Sequence, residues 1–192
     1  MNTEELEKLR ESAYAMLKPS RIAHVAGCEE TAARLAERWG ENELDARKAA
    51  IVHDCTKKEP LQKQLELCEV YGIKPDSIEK ESSALLHSKT GAAVAKEKFG
   101  LSDRICEAVK WHTTGKPDMT TLEKIIYLAD FIEPTRAFPG LEEVRAFAFE
   151  DLDRAVSMAM TMSLENMKDR GIEPHPNTVN ALSFIKEKRD TA

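Results

Sequence analysis

The stretch AAIVHDCTKKEP, residues 49–60, decides the fold. Its opening Ala49-Ala50-Ile51-Val52 continues an apolar helical run that Asn42 is placed to cap, and Gly40 ends the run before it. The run stops on an imidazole and a carboxylate side by side, His53 and Asp54, with Lys57 and Lys58 just beyond. Pro60 then suits the first turn of another helix, which ends near Tyr71-Gly72. The stretch therefore reads as helix, short turn, helix. A helix C-terminus carries partial negative charge, which favours a cation there. Neighbours on a regular helix point about 100° apart, but one cation fits between two of them where the helix is ending.

Helical periodicity continues in both directions. Upstream, residues 3–17 read as a helix with Thr3 as its cap. Residues 20–39 read as a second, capped by Ser20, with Ile22, Val25, Leu35 and Trp39 on its apolar side. Downstream, residues 73–83 are loop or short helix. SALLHSKTGAAVAKEKFG is helical and stops at Gly100, and Ser102 or Asp103 starts a helix that ends at WHTTGKP. TLEKIIYLADFIE, residues 121–133, is another, closed by Pro134; two more cover 141–168, and a last one starts near PHPNTVNAL. No stretch alternates with a period of two. The expected fold is all-α: one domain over residues 1–192, about nine or ten helices packed on one core.

Bulk properties narrow the partners. The 192 residues are 42% apolar and 32% charged, as in a globular protein with a substantial core. The net charge of −6 repels nucleic acid, so a polyanion must meet a local basic patch. MNTEELEKLRES lacks the pattern of a signal peptide, and no apolar run approaches the ~20 residues that span a bilayer. Cys28, Cys55, Cys68 and Cys106 are scattered without a C-x-x-C pair, which suggests reduced thiols and a cytoplasmic protein. Cys55, beside the His-Asp pair, reads as a small buried filler.

There are five histidines: His24, His53, His87, His112 and His175. Singly, each reads as structural; together, four of them lie among apolar residues on core-facing elements. Asp130 is more telling, because it interrupts the apolar run IIYLADFI. A carboxylate buried there needs a partner, either a salt bridge to Arg104 or Arg136 or a cation shared with His24, His53 and Asp54. Two imidazoles and two carboxylates make a mixed nitrogen and oxygen set. It suits Fe, Mn, Zn, Ni or Co better than Mg or Ca, and without thiolates it does not look like a structural zinc site.

The order His24, His53-Asp54, Asp130 on helices resembles the metal-dependent phosphohydrolases of the HD superfamily. RIAHVAGCEETAARLAERWG, AAIVHDCTKKEP, LLHSKTGA, AVKWHTTG, IIYLADFIEPTR and HPNTVNAL narrow the resemblance to the YqeK family over residues 18–183. The resemblance implies a bacterial enzyme that splits diadenosine tetraphosphate symmetrically into two ADP. It also implies an HD-type core over 18–136, with C-terminal helices over 141–190 completing the nucleotide site. By the same resemblance a transition metal, iron first, is held as one or two ions by His24, His53, Asp54 and Asp130. Nucleotide contacts fall at Arg21, Asp54, Cys55, Thr56, Lys57, His87, His112, Arg136, Glu173, Pro174, His175, Pro176, Asn177 and Thr178, and a homodimer is implied.

The residues fit such chemistry. Charge building on phosphates needs cations, and Arg21, Lys57 and Arg136 lie within the motif segments. Lys57, His87 and His112 are the catalytic candidates; the two histidines could donate to phosphate, protonate the leaving group, or complete a second metal site. Pro176 starts a helix whose first N–H groups either bind phosphate or merely begin the helix. The alternatives are another HD phosphohydrolase acting on a cyclic nucleotide or nucleoside phosphate, a non-catalytic nucleotide- or metal-binding module, and a helical scaffold with structural histidines.

Overall fold

A computed structural model describes residues 3–191. Ten α-helices follow in order: α1 (Thr3–Tyr14), α2 (Ile22–Trp39), α3 (Glu43–Val52), α4 (Leu61–Val70), α5 (Ser83–Glu97), α6 (Asp103–Trp111), α7 (Thr121–Ile132), α8 (Leu141–Glu150), α9 (Leu152–Asp169) and α10 (Pro176–Asp190). No strand occurs among the described residues, so the all-α expectation holds.

Local chemistry sets the boundaries. Asn42 accepts from the Asp45 amide and starts α3, and Gly40 at φ 66° closes α2 in the left-handed region that glycine enters freely. Thr120 and Glu123 form a reciprocal capping box that starts α7. Three boundaries differ from expectation. Ser20 does not cap α2; it lies inside a 3₁₀ turn, Pro19–Arg21, that leads into the helix. Pro60 is the residue before α4, not within its first turn. α1 ends at Tyr14, three residues early; the Thr3 cap rests on a side chain outside the described residues.

α2, α3 and α7 pack against one another at the centre. Leu35, Ile51, Ile125, Ile126 and Leu128 are buried to 1% exposure or less there; truncating one such leucine or isoleucine to alanine costs about 2–5 kcal/mol. α5 and α6 pair beside them, while α9 joins α7, α8 and α10. α1 is tied on by buried Glu29, which accepts from Arg10 Nε at 2.8 Å and Nη2 at 2.6 Å and from Arg47 at 3.2 Å. The four cysteines are free and buried. No described helix is long and apolar enough to cross a membrane.

Candidate metal centre and adjoining cleft

One local device aims three imidazoles at the same point. His53 ends α3 and His112 ends α6, while His87 lies one turn into α5. In each, Nδ1 sits against the carbonyl three residues earlier: Ala50 at 2.6 Å, Val109 at 2.6 Å and Ala84 at 2.7 Å. A carbonyl only accepts, so Nδ1 carries the proton and Nε2 presents a lone pair. His24, in the first turn of α2, reaches the same tautomer through a carboxylate: Nδ1–H donates to Glu133 Oε1 at 3.0 Å. The four rings gather with neighbouring centroids 4.9–5.6 Å apart. His87 Nε2 and His112 Nε2 are 3.0 Å apart.

Two aspartates close the cluster. Asp54 Oδ2 lies 3.4 Å from His53 Nε2 and 3.8 Å from His24 Nε2, and its Oδ1 lies 3.2 Å from His87 Nε2. Asp130 Oδ1 is 3.0 Å from His24 Nε2. Asp130 is less buried than the sequence implied, with 22% of its side chain exposed. Its expected arginine is there too: Arg136 Nη2 donates to Asp130 at 3.1 Å, whereas Arg104 pairs with Glu41 and Asp45 on the far surface. Arg21 Nε donates to Asp54 Oδ2 at 2.5 Å.

The arrangement fits a divalent cation. His53 Nε2 and Asp54 Oδ1 are buried acceptors with no hydrogen-bond partner, and such atoms are costly unless something positive lies between them. A proton does not fill the role at every ring. Burial holds His112 down to about 3 and lowers His87. Burial also opposes charge on His53, but adjacent Asp54 raises its pKa, a sign of the negative potential at the centre. Burial likewise works against ionised Asp54 and Asp130, yet His53 beside the first and His24 bonded to the second hold both well below the usual carboxylate range. His24, His53 and Asp130 form one candidate donor set together with Cys28, and His53, Asp54 and His112 form another that shares His53.

A cleft of about 970 Å³ opens beside the cluster. Thr113 and Arg136 stand where the two meet, and Phe131, Phe138, Met162 and Ile172 give the cleft apolar walls. Thr113 Oγ1 is 3.3 Å from His112 Nε2. Lys57, exposed overall, turns its ammonium back onto His87, 3.2 Å from Nε2; burial of that end lowers its pKa. Glu173, His175 and Thr178 line the cleft, while Pro174 lines an adjoining shallower pocket. Pro176 and Asn177 begin α10. The Asn177 amide is already bonded to His175 Nδ1 at 3.1 Å, which favours the plain helix start over a phosphate site there.

Two side chains of the His-Asp turn face inward. Cys55 is fully buried with its sulfur toward the Gly91 carbonyl, and Thr56 donates to the His87 carbonyl at 2.9 Å. Sequence reasoning missed Glu133, which is fully buried and also accepts from the Thr135 amide at 2.7 Å and hydroxyl at 2.5 Å. Its signal was its place, an acidic residue closing the apolar run of α7 three residues after Asp130. Gly27 makes room for it, since a Cβ there would lie 2.7 Å from Glu133 Oε2. Also missed was the charged cluster around His175: its Nε2 donates to Asp76 at 2.8 Å, and Lys89 pairs with Glu79 at 2.5 Å. Its groups satisfy one another.

Residues 21–135 match the family model described as HD domain. The chain belongs to the HD domain family. A divalent metal at the cluster agrees with the HD domain and with the donor sets present. Among curated HD relatives, the symmetrical bis(5'-nucleosyl)-tetraphosphatase of Bacillus subtilis is 38% identical, covering 92% of this chain and 97% of that protein. The protein of the same name from Halalkalibacterium halodurans is 35% identical over 88% of this chain and 93% of its own. A crystal structure of a predicted HD superfamily hydrolase involved in NAD metabolism from Clostridium acetobutylicum superposes with a TM-score of 0.91. It is 37% identical and covers 95% of this chain and 97% of that one.

Proposed function

We propose that this chain is a symmetrical bis(5'-nucleosyl)-tetraphosphatase: a metal-dependent hydrolase that splits diadenosine tetraphosphate into two ADP. The observation that carries the reading is the convergence of four imidazole Nε2 atoms and two aspartates beside a cleft able to take a nucleotide. The relatives bearing that name match over nearly their whole length.

His24, His53, Asp54 and Asp130 hold the cation, iron in our reading, with Mn, Co, Ni or Zn as the alternatives. What the cation supplies when bound is Lewis acidity and a water acidic enough to attack near neutral pH. The protein's residues do the rest. Arg21 and Arg136 flank the cluster from Asp54 and Asp130 and face the inner phosphates. Lys57 and Thr113 offer donors where the leaving phosphate oxygen gains charge, and His87, whose Nε2 lies 3.2 Å from the Lys57 ammonium, accepts from it and orients it. The apolar cleft beside Arg136 seats an adenosine and excludes water around the phosphoanhydride. Residues 1–192 act as one domain in this reading, the helices beyond 141 building one wall of the cleft; the active form is a homodimer in the cytoplasm.

The test is product identity. Metal-loaded protein is incubated with diadenosine tetraphosphate and a panel of other nucleotides, and the products are separated by chromatography. ADP alone supports the reading. ATP plus AMP overturns symmetrical cleavage, and turnover of other nucleotides only points to another HD phosphohydrolase.

A further inference from the structure

Cys28 places its thiol against the metal cluster, and the proposed hydrolysis does not use it. It follows His24 by one turn on the inner face of α2, and its Sγ lies 3.3 Å from His24 Nε2. The side chain is wholly buried. As a core filler its sulfur would need only apolar neighbours; here it faces the ligating nitrogen of a histidine. The donor atoms of His24, Cys28, His53 and Asp130 all lie within 4.8 Å of one another. Independently, His53 Nε2 has no hydrogen-bond partner, and its residue is 1% exposed.

We propose that Cys28 completes, with His24, His53 and Asp130, a four-donor site for a thiophilic divalent cation such as Zn²⁺ or Cd²⁺. The site shares His24, His53 and Asp130 with the four residues assigned above to the catalytic cation, so one ion excludes the other. Two nitrogens, one sulfur and one oxygen fill a tetrahedral shell, and a filled shell leaves no open position for water, unlike catalytic sites. Soft thiolate ligands favour Zn²⁺ and other thiophilic ions over Mn²⁺. Binding is balanced by loss of the thiol proton to solvent as the sulfur–metal bond forms. A thiophilic ion therefore lodges as an inhibitor, a consequence that rests on the hydrolase reading; the sulfur–metal bond itself does not.

The test titrates metal-free wild-type protein, Cys28→Ser and Cys28→Ala with Co²⁺ and Cd²⁺. Thiolate-to-metal charge-transfer absorption is followed, and affinities are obtained by chelator competition. The wild type is expected to develop one thiolate band that saturates at one equivalent. Both variants are expected to lack it and to bind Cd²⁺ at least ~10-fold more weakly, the scale on which even an outer partner acts. A wild type saturated with Cd²⁺ but showing no thiolate band overturns the proposal, whether or not either variant folds. A band that persists in Cys28→Ser overturns it too. In parallel, Cd²⁺ should inhibit wild-type hydrolysis more strongly than that of Cys28→Ser. If no nucleotide is hydrolysed with any metal, the hydrolase reading falls while the spectra still decide the sulfur site.

Discussion

Replacing Glu133 with glutamine tests the outer partner of the metal centre with a change of one atom. Glu133 accepts three hydrogen bonds: from His24 Nδ1 at 3.0 Å, the Thr135 hydroxyl at 2.5 Å and the Thr135 amide at 2.7 Å. A glutamine offers one accepting oxygen and one donating NH₂. With the oxygen toward His24, the NH₂ faces the Thr135 amide, donor against donor, and a buried unpaired donor costs about 1–3 kcal/mol. With the oxygen toward Thr135, the NH₂ faces His24 Nδ1 and drives its proton to Nε2, the nitrogen meant for the metal. Either arrangement penalises the metal-bound state or the fold beneath it. Loss of such a partner lowers metal affinity about 10–100-fold, which is about 1.4–2.7 kcal/mol. The assay is chelator competition on the metal-free variant, with turnover measured at saturating metal. Thr135→Ala is the control: it removes one donor to Glu133 but leaves the His24 bond, so stability falls while metal affinity stays near wild type. Metal affinity unchanged in Glu133→Gln would refute the reasoning, because the carboxylate would then orient nothing.

Asp54→Ala and Asp130→Ala are each expected to lose bound metal and turnover together, read by elemental analysis beside the hydrolysis rate; full occupancy in both would remove them as ligands. Lys57→Met and Arg136→Met should keep the metal and bind ADP more weakly, which calorimetry measures directly. For His87→Ala and His112→Ala we expect unchanged metal content and turnover lowered by about 10²–10⁴, the range for a lost acid–base or donor group; a fall from two metals to one would assign them to a second ion instead. Stripping the metal from protein held in free metal at 100 times the dissociation constant should cost about 2.7 kcal/mol. For a chain of 192 residues that lowers the melting temperature by about 5–10 °C, at roughly 2–4 °C per kcal/mol. Thermal scans with and without chelator measure it.

The sequence carried the helices because their signals are local. Asn42, Gly40 and Gly100 mark ends that the structure keeps, and the apolar run of α7 marks a buried element. The errors are local as well. Ser20 looked like a cap, but Pro19 before it set up a 3₁₀ turn. The residues brought together at the metal centre were legible by type and order: His24, His53, Asp54 and Asp130 do meet, and His87 and His112 join them. What stayed hidden depends on contacts between distant segments. His24 and Glu133 are 109 residues apart, and nothing near either announces their bond. Cys28 read only as one of four scattered reduced thiols, and only the fold turns its sulfur to His24. Asp130 offered a choice between an arginine and a cation shared with the histidines, and the structure places both Arg136 and His24 beside it.

That double placement explains why an overall acidic protein can take a polyanion. Asp54, Asp130 and Glu133 contribute three negative charges around the cluster, and Arg21, Lys57 and Arg136 contribute three positive ones. Without a cation these groups pair only in part: Arg21 is bonded to Asp54, and Arg136 to Asp130. A divalent cation held by the two aspartates would compete with the arginines for their carboxylates. With the ion bound the six charges and the cation would sum to an excess of two positive charges, which the arginines could direct to phosphate. Attraction of the substrate is thereby local and conditional on the metal, which suits a chain whose net charge of −6 would otherwise repel it. The buried acceptors that look costly in isolation, His53 Nε2 and Asp54 Oδ1, are what make the centre wait for the ion.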